Sequence, residues 1–418
     1  MPFVRLIVML IVLLLPWSLI AQTDQEFVAW AKTRVVPIDS GGSAFRSLDA
    51  SLEGVRLIGV GESVHDAEPF LSFRLQLLQD LVRRHQVTAV ILESGFPEAM
   101  TLNDYVHGRT ATVDYKAVLP GGNGSLATLR TTMEWIRAWN LGEGRGRKVS
   151  VFGADLPRRS GSIVPALDRL AELTAGDDVT ASLIDAVRPT AVRVTGNWWR
   201  DTTKKYEALN ADEKTAFAVN VSLLVQRVQH LPARDDRTEW ARRVALVVQQ
   251  GEDALRLGMF SPTIPRDIAL AENTLWVLRR LGAGERAVYW AHNAHVQKTP
   301  VKGAPLPAGA FPGSGQRFDV VLGAQYYAIG TTYGGPSMDD ATAATPGSVD
   351  ATLESVSEGP YLLLLRRSAP PPAIESWLAK ERPMRFQVGY LDLPLGPAFD
   401  ALVFFEGASD AARVSDEK

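Results

Sequence analysis

Apolar positions in the first third of the chain follow two alternating patterns. Short unbroken apolar runs, which are typical of buried strands, occur at residues 55–60, 88–92 and 148–153. Between these runs, apolar side chains recur every three or four positions, which predicts helices at residues 68–85, 97–106 and 126–141. Alternating strands and helices indicate parallel strands that are joined by helical crossovers.

The middle of the chain, from about residue 160 to 283, changes character. Long amphipathic stretches there are rich in Arg, Asp, Glu, Leu and Val and contain few strand patterns, so we predict a helical insertion. Strand patterns resume at residues 286–291, 320–329, 360–366, 385–390 and 401–405. The predicted fold class is α/β, with a mostly parallel central sheet that is flanked by helices and completed by chain on both sides of the insertion.

Two stretches rich in proline and glycine, residues 299–315 and 334–347, are predicted to be long loops near the site described below. Long loops in a compact protein are often lids or substrate walls. Mobile surface loops are the alternative.

The N-terminus has the shape of a secretory signal. Arg5 precedes an apolar run over residues 6–15, and the predicted signal, residues 1–21, ends at Ala21. The run is too short to predict a transmembrane helix. We expect cleavage after Ala21, which leaves residues 22–418 as a single domain in the periplasm or outside the cell. An uncleaved anchor and a buried N-terminal helix are the alternatives, and contact with a membrane is expected only for the anchor.

Composition excludes several classes of function. Of the 418 residues, 46% are hydrophobic and 22% are charged, which is ordinary for a folded protein. The net charge of -3 argues against a nucleic-acid partner, because phosphate binding needs a concentrated basic surface. The chain has no cysteine, which removes disulfides, thiol nucleophiles and cysteine-ligated zinc. A small-molecule substrate fits these properties best.

An acid and an imidazole follow the first predicted strand. Residues 57–65, Leu-Ile-Gly-Val-Gly-Glu-Ser-Val-His, end an apolar run in glycines and then present Glu62 and His65. A histidine can take a proton from water near neutral pH, and a carboxylate can fix its tautomer and stabilise the imidazolium. The pair therefore predicts attack of activated water on an ester or lactone carbonyl. A structural hydrogen-bonded pair is the alternative.

A second carboxylate, Glu93, ends the apolar run over residues 87–93. If this strand and the first one pair in parallel, Glu93 lies at the same edge of the sheet as Glu62. Two carboxylates brought together raise the pKa of one of them, which creates a proton reservoir. The alternative for Glu93 is a cap for the helix that starts near Pro97, although Ser94 is the better capping residue.

Two imidazoles follow the predicted strand at residues 286–291. His292 and His295 are three residues apart, and both can face a pocket if the chain turns there. Each is a candidate metal ligand, oxyanion donor or second acid–base group. The other histidines are interpreted as helix-end or surface residues, namely His85, His107 and His230.

Two arginines can serve the same site. Arg74 lies on the helix after His65 and can bind a substrate oxygen or a carboxylate of the site, with a surface salt bridge as the alternative. Arg266 precedes Asp267 at the start of a predicted helix and can reach the site from there. An ordinary charge pair at the helix start is the alternative.

A serine nucleophile is disfavoured. No Gly-x-Ser-x-Gly sequence occurs at a predicted strand-to-helix turn, and the neighbours of Ser63 are better suited to activating water. Gly-rich phosphate cradles are also missing, and we expect no cofactor.

These motifs, taken in order, resemble the erythromycin esterase family. The resemblance covers roughly residues 45–405, and its specificity comes from the ordered set rather than from any one motif. The matching segments are residues 57–65, 70–82, 89–98, 135–140, 151–155, 266–267, 272–273, 289–296, 327–330 and 399–402.

The resemblance implies an α/β protein that opens the macrolactone of 14-membered macrolides by hydrolysis without a metal. It implies that His65 is the general base for water and that Glu62 orients it. The same cleft is then lined by Glu93, His292, His295, Arg74 and Arg266. Asp66 departs from the family pattern, which usually has glycine there, and Glu68-Pro69 shifts the acidic residue. These departures bear on the substrate more than on the reaction.

The leading hypothesis is an exported hydrolase that cleaves a carboxylic ester or macrolactone. Glu62, His65, Glu93 and His292 are the predicted catalytic residues, and three residues are predicted to bind substrate: Arg74, Arg266 and His295. Two alternatives use the same residues. One is a hydrolase that fills the cluster with a divalent metal, and the other is a non-catalytic envelope protein that binds a ligand or assists polysaccharide assembly.

Overall fold

The computed structural model of the protein describes residues 23–39, 42–119, 122–157, 162–233, 235–258, 265–303, 309–338, 341–366, 369–387 and 389–415. The predicted signal segment lies outside these ranges, so its cleavage stays a prediction, as does the single domain over residues 22–418. None of the helices in the described ranges is long and apolar enough to cross a membrane.

The strands of the described ranges form one mixed eight-stranded sheet and a separate hairpin. They are β1 (Val35–Pro37), β2 (Leu57–Val60), β3 (Val87–Gly95), β4 (Ser150–Asp155), β5 (Arg286–Trp290), β6 (Tyr326–Tyr333), β7 (Tyr361–Leu364), β8 (Glu381–Phe386), β9 (Gly389–Pro394) and β10 (Ala401–Phe405). The order in the sheet is β1-β7-β10-β6-β2-β5-β3-β4, and β8 pairs with β9 in the hairpin. The strands from β10 to β4 all pair in parallel, whereas β7 runs antiparallel to both of its neighbours.

Helices cover both faces of the sheet and build the insertion. Those before the insertion are α1 (23–32), α2 (Ser43–Arg46), α3 (Glu68–Arg84), α4 (Phe96–Val106), α5 (Tyr115–Val118) and α6 (Ala127–Leu141). The insertion contains α7 (Val164–Leu173), α8 (Asp178–Val194), α9 (Trp199–Glu207), α10 (Ala211–Gln229), α11 (Asp236–Leu257) and α12 (Pro265–Arg280). After it come α13 (Asn293–Val296), α14 (Ser314–Leu322), α15 (Val349–Leu353), α16 (Pro372–Ala379) and α17 (Leu395–Ala398).

The predicted fold class is confirmed. A mostly parallel sheet is flanked by helices, and the helical insertion α7 to α12 separates β4 from β5. The apolar runs are buried on both faces, as expected for parallel strands covered by helices. In β2, Ile58 and Val60 face the core that contains α3 and α6, while Leu57 faces the core on the opposite side. The insertion has an apolar core of its own.

Two of the predicted strands are wrong in part. Residues 320–325 are not extended, because α14 continues to Leu322 and β6 begins only at Tyr326. The apolar run predicts a strand, but Val320 and Val321 are exposed on α14. Phe318 is the residue of this helix that packs in the apolar core. Residues 385–390 span the end of β8 and the start of β9, so they belong to the hairpin rather than to the main sheet.

Candidate active site

The strand order brings the predicted motifs to one edge of the sheet. Strand β5 lies between β2 and β3, and all three are parallel, so their carboxyl ends meet. Ligand sites of α/β sheets lie at this edge. Gly61 allows the close approach, because a side chain there would collide with Asn293, whose backbone N–H donates to the carbonyl of Glu62 at 2.8 Å.

Glu62 and His65 form a hydrogen-bonded pair after β2. The Nδ1 atom of His65 lies 2.6 Å from Oε1 of Glu62, and Nη1 of Arg74 donates to Oε2 of Glu62 at 2.8 Å. Burial by itself would raise the pKa of Glu62, but the charge of Arg74 and the bond to His65 outweigh it, so this pKa is lowered. Glu62 is therefore ionised and able to hold a proton on Nδ1 of His65.

Arg74 holds Glu62 in place rather than pointing to an open position. It lies on the buried face of α3, and its Nη2 donates to the backbone carbonyls of Val60 at 2.9 Å and Ala291 at 2.7 Å. These bonds connect the ends of β2 and β5. The alternative of a site carboxylate as the partner of Arg74 is therefore the one seen in the structure, and binding of substrate by Arg74 stays a prediction.

His65 is the accessible member of the pair. Its side chain is 36% exposed, compared with 9% for Glu62. Because Nδ1 is bonded to Glu62, the lone pair of Nε2 is available, and Nε2 has no hydrogen-bond partner among the described residues. This arrangement is the one a general base for water requires.

His292 packs against His65, and both of its ring nitrogens form hydrogen bonds within the protein. The two rings meet edge to face with centroids 5.2 Å apart. Nε2 of His292 donates to the carbonyl of Ser63 at 2.9 Å, and Nδ1 accepts from the backbone N–H of Ala294 at 3.3 Å. Burial lowers the pKa of His292 to about 3. His292 is therefore a neutral support for the loop that carries His65 in this conformation, and its predicted role in acid–base catalysis remains untested.

The buried imidazole of His292 should make the free energy of unfolding depend on pH. Between about pH 6.5 and about pH 4.5 the unfolded chain binds a proton on His292 that the folded protein does not, so the free energy of unfolding falls by about 2 kcal/mol. We expect His292→Asn to remove that part of the decrease, measured by urea unfolding at both pH values. Burial raises the pKa of Asp350 to about 6. Asp350 titrates in the same way in both proteins, so its contribution cancels in the difference between their free energies of unfolding. Equal decreases in the two proteins would contradict the prediction.

Glu93 and Arg266 form a second buried ionic cluster at the end of β3. Nη2 of Arg266 donates to Oε1 of Glu93 at 2.6 Å and to Oδ2 of Asp155 at 2.6 Å. The other oxygen of Glu93 accepts from the backbone N–H of His292 at 2.9 Å. Burial opposes the charge of Arg266, but the two carboxylates outweigh burial and raise its pKa. Arg266 contacts the cleft residue Glu93 from the start of α12, but it does not line the cleft itself, so its binding of substrate stays a prediction.

His295 extends this cluster through a carboxylate on α12. Its Nδ1 lies 2.7 Å from Oδ1 of Asp267, which also accepts from the backbone N–H of Ser314 at 2.9 Å, and its Nε2 lies 3.2 Å from Nη1 of Arg266. Burial would lower the pKa of His295, yet the carboxylates of Asp267 and Glu93 raise it overall. His292 is the N-cap of the one-turn helix α13 and His295 lies within that helix. Their imidazoles bind different partners, Ser63 and Asp267 respectively.

The sequence predicts that Glu62 and Glu93 lie together and that the pKa of one of them is raised. For Glu62 this prediction is wrong. Strand β5 separates their strands, each carboxylate binds its own arginine, and the pKa of Glu62 is lowered rather than raised. The expected capping role of Ser94 is also wrong, because the N-cap of α4 is Gly95 and no side chain caps this helix.

Ser94 instead lines the cleft beside Glu93. The register between β3 and β4 shifts between Leu92 and Gly95, so both side chains are set by an irregular stretch of strand rather than by regular alternation. Gly153 accommodates this stretch, because a side chain there would collide with its backbone. The buried hydroxyl of Ser94 has no hydrogen-bond partner among the described residues.

The cleft is small, with a volume of about 60 Å³. That volume admits a few water molecules, whereas sites for drug-sized ligands occupy about 300–1,000 Å³. A bulky substrate therefore requires its walls to move apart. The residues around it are Glu62, His65, Asp66, Leu71, Arg74, Leu92, Glu93, Ser94, Leu119, Asn123, Leu126, Leu129, Trp290 and Ala291.

The donor atoms of the site are arranged for ion pairs. Within the described ranges, no group of three or more His, Cys, Asp or Glu side chains is placed to hold a metal ion. Glu62 is bound by Arg74 and His65, and both nitrogens of His292 are engaged. The geometry therefore does not support the predicted metal-filled alternative.

Asp155, Asp267 and Ser94 were not among the predicted site residues. Asp155 ends β4, and Glu93 likewise lies near the end of β3. A carboxylate that follows an apolar run is visible in the sequence, so Asp155 could have been predicted. Asp267 follows Arg266 at the start of a helix, where an acidic residue is ordinary. The three remaining histidines are confirmed as helix-end residues, since His85, His107 and His230 occupy C-cap positions.

A family model described as erythromycin esterase matches residues 82–408, which is most of the chain. The chain belongs to the erythromycin esterase family. Two relatives from Escherichia coli show the same relationship. Erythromycin esterase type II is 22% identical over 335 residues, which cover 74% of this chain and 78% of the relative. Erythromycin esterase type I is 23% identical over an alignment of 424 residues, covering 93% of this chain and all of the relative.

Solved structures of this family's fold are also similar. A succinoglycan biosynthesis protein superposes with a TM-score of 0.77 at 18% identity, covering 93% of this chain and 98% of its own. A Bacillus cereus protein gives 0.76 at 19% identity, with 94% and 99% covered. An erythromycin esterase mutant in its open conformation gives 0.71 at 22% identity, with 88% and 94% covered. At these identities the likeness establishes a shared fold.

Proposed function

We propose that the protein hydrolyses a carboxylic ester or a macrolactone with water activated by His65. The observation that carries this proposal is the bond of 2.6 Å between Nδ1 of His65, a residue that lines the cleft, and the ionised Glu62, which leaves Nε2 without a partner among the described residues. Membership in a family described as erythromycin esterase supports a hydrolase of this kind.

The reaction follows from the position of the two nitrogens of His65. Nε2 accepts a proton from water as the water oxygen attacks the carbonyl carbon. Glu62 then stabilises the imidazolium through Nδ1–H, and Arg74 keeps Glu62 in position. When the tetrahedral intermediate collapses, the imidazolium returns the proton to the leaving alkoxide. In a lactone the alkoxide stays on the same molecule, so the ring opens to a hydroxy acid.

The substrate proposal rests on the shape of the cleft and on the relatives. Ser94 lines the cleft beside Glu93, and rotation of its buried hydroxyl toward a bound molecule would supply a hydrogen-bond donor. Apolar walls formed by Leu71, Leu126 and Leu129 suit a largely hydrophobic acyl group or lactone ring. We further propose that the protein acts after export, because its N-terminal sequence has the shape of a secretory signal.

A hydrolysis screen of the purified protein tests the proposal. The panel contains short-chain and long-chain p-nitrophenyl esters, simple lactones and erythromycin, and products are followed by absorbance and by the mass gain of one water. We expect turnover of at least one ester or lactone, at a rate that dialysis against EDTA leaves unchanged. Loss of activity on dialysis that added metal restores would favour the metal-dependent alternative. No turnover across the panel would contradict hydrolysis of these substrates.

Ser63 provides a direct test of the water mechanism. Its side chain is buried and its Oγ has no hydrogen-bond partner among the described residues, so nothing there activates it as a nucleophile. We expect Ser63→Ala to keep kcat within about threefold of the natural protein, because the attacking group is water. Intact-mass spectra taken during turnover of a slow ester should show no acylated protein. An inactive Ser63→Ala variant with an acylated natural protein would overturn direct attack by water.

A further inference from the structure

A C-terminal strap, residues 409–414, crosses the loop that carries His65. The backbone N–H of Glu68 donates to the carbonyl of Ser409 at 2.9 Å, and the N–H of Ala411 donates to the carbonyl of Asp66 at 2.8 Å. Ala67 and Asp410 form an antiparallel bridge between these bonds. The strap therefore pairs like a short strand with the chain directly after His65.

The same strap continues to a second wall of the cleft, at residues 125–127. The backbone N–H of Ala127 donates to the carbonyl of Ala412 at 2.8 Å, and the N–H of Val414 donates to the carbonyl of Ser125 at 2.7 Å. Leu126, which lines the cleft, forms an antiparallel bridge with Arg413. The segments at residues 66–68 and 125–127, which are 59 positions apart, are thus joined by the strap in addition to a direct hydrogen bond from Oγ1 of Thr128 to Oε1 of Glu68 at 2.8 Å.

Arg413 reinforces this connection with its side chain. Nη2 lies 2.5 Å from Oδ2 of Asp66, while Nη1 donates to Oγ of Ser125 at 2.8 Å and to the carbonyl of Gly122 at 3.2 Å. One guanidinium therefore contacts both walls. The partner Asp66 is the residue next to His65, so this ion pair lies one residue away from the proposed general base.

Asp66 occupies a backbone conformation that favours glycine. Its φ angle is +61°, in the left-handed region that aspartate tolerates better than most side chains. A glycine at this position would keep the turn and lose the carboxylate. Asp66→Gly is thus a variant that removes the ion pair without imposing backbone strain.

We propose that the C-terminal strap clamps the two walls of the cleft together, with Arg413 as a positioning residue that sets the width of the cleft at His65. This proposal rests on the proposed ester hydrolysis. The clamp holds the cleft at its small volume, so it disfavours long acyl groups relative to short ones. Release of the Asp66–Arg413 pair widens the entrance.

The test compares p-nitrophenyl decanoate with p-nitrophenyl acetate in the full chain. We expect Arg413→Ala and Asp66→Gly each to raise the decanoate-to-acetate ratio of kcat/KM by about two- to fivefold, the size expected for a partly exposed ion pair. The double variant should show no further increase, because both changes remove one interaction. Arg413→Lys should lie between them and the natural protein.

Arg109→Ala is the matched control. Arg109 forms an exposed ion pair with Asp104 at 2.7 Å, and it lies past the end of α4, away from the cleft. We expect the decanoate-to-acetate ratio of kcat/KM in Arg109→Ala to equal that of the natural protein. A ratio that stays constant in Arg413→Ala and Asp66→Gly, while both enzymes turn over the acetate, overturns the proposal.

Hydrogen–deuterium exchange tests the clamp without relying on catalysis. We expect Arg413→Ala to accelerate exchange of peptides covering residues 62–68 and 123–128 together, and Arg109→Ala to leave both unchanged. This readout remains decisive if no ester is hydrolysed, so failure of the proposed function and failure of the clamp are distinguishable. Faster exchange confined to the C-terminal peptide would overturn the clamp.

Discussion

Replacing His65 with alanine lowers kcat for the ester or lactone substrate by about 10²- to 10⁴-fold, which is the usual contribution of a general base. The reason is that Nε2 of His65 is the open basic nitrogen next to the cleft, while Nδ1 is held by Glu62 at 2.6 Å. The folded protein tolerates the change, because the side chain is 36% exposed and Glu62 keeps its bond to Arg74. We expect the free energy of unfolding to fall by about 1–3 kcal/mol, because Oε1 of the buried Glu62 loses its hydrogen bond to His65.

His85→Ala is the control for this substitution. His85 also contacts a carboxylate, with Nε2 2.9 Å from Oδ1 of Asp49, but it lies at the C-cap of α3, at the far end of the helix from the cleft. We expect kcat to be unchanged in His85→Ala. Steady-state kinetics and urea unfolding of both variants separate catalysis from stability. A His65→Ala enzyme that retains activity within threefold would rule out the proposed base.

Replacing Arg266 with alanine should have the largest effect on stability, with a decrease of about 3–5 kcal/mol in the free energy of unfolding. The guanidinium is the cation between Glu93 and Asp155, which are 8% and 0% exposed. Removing it takes the guanidinium away from two buried carboxylates that both contact it at 2.6 Å. Urea unfolding followed by tryptophan fluorescence measures this decrease.

Arg84→Ala is the matched variant for Arg266→Ala. Arg84 also binds two carboxylates, Asp49 at 2.8 Å and Asp80 at 2.7 Å, but all three side chains are accessible to water. We expect a decrease of about 0–1 kcal/mol for this exposed cluster. Equal decreases in the two variants would show that burial does not control the contribution of the Arg266 cluster.

The elements around the site could be predicted because they are local. The strand at residues 57–60, the helix from Glu68 and the strand that contains Glu93 follow directly from apolar periodicity. The strand predicted at residues 320–325 is wrong because it rests on the same apolar pattern. An exposed Val-Val pair on α14 has the composition of a strand. Periodicity reports which side chains are apolar, and burial is decided by the rest of the protein.

Contacts between distant segments could not be predicted in the same way. The position of β5 between β2 and β3 is set by pairing across the helical insertion, and it assigns Glu62 to Arg74 and Glu93 to Arg266. Ser94 illustrates the limit well. It follows Glu93 in a sequence typical of a helix start, yet a shifted register between β3 and β4 places it in the cleft.

The sequence by itself determined the α/β class, the helical insertion and the motif that joins Glu62 to His65, because each depends on residues within a few turns or one strand of each other. Only the tertiary structure decided which arginine binds which carboxylate, that His292 is a buried neutral support, and that the C-terminal strap reaches the His65 loop. The physical reason is that ion pairing and desolvation depend on distances of about 3 Å between groups that are far apart along the chain.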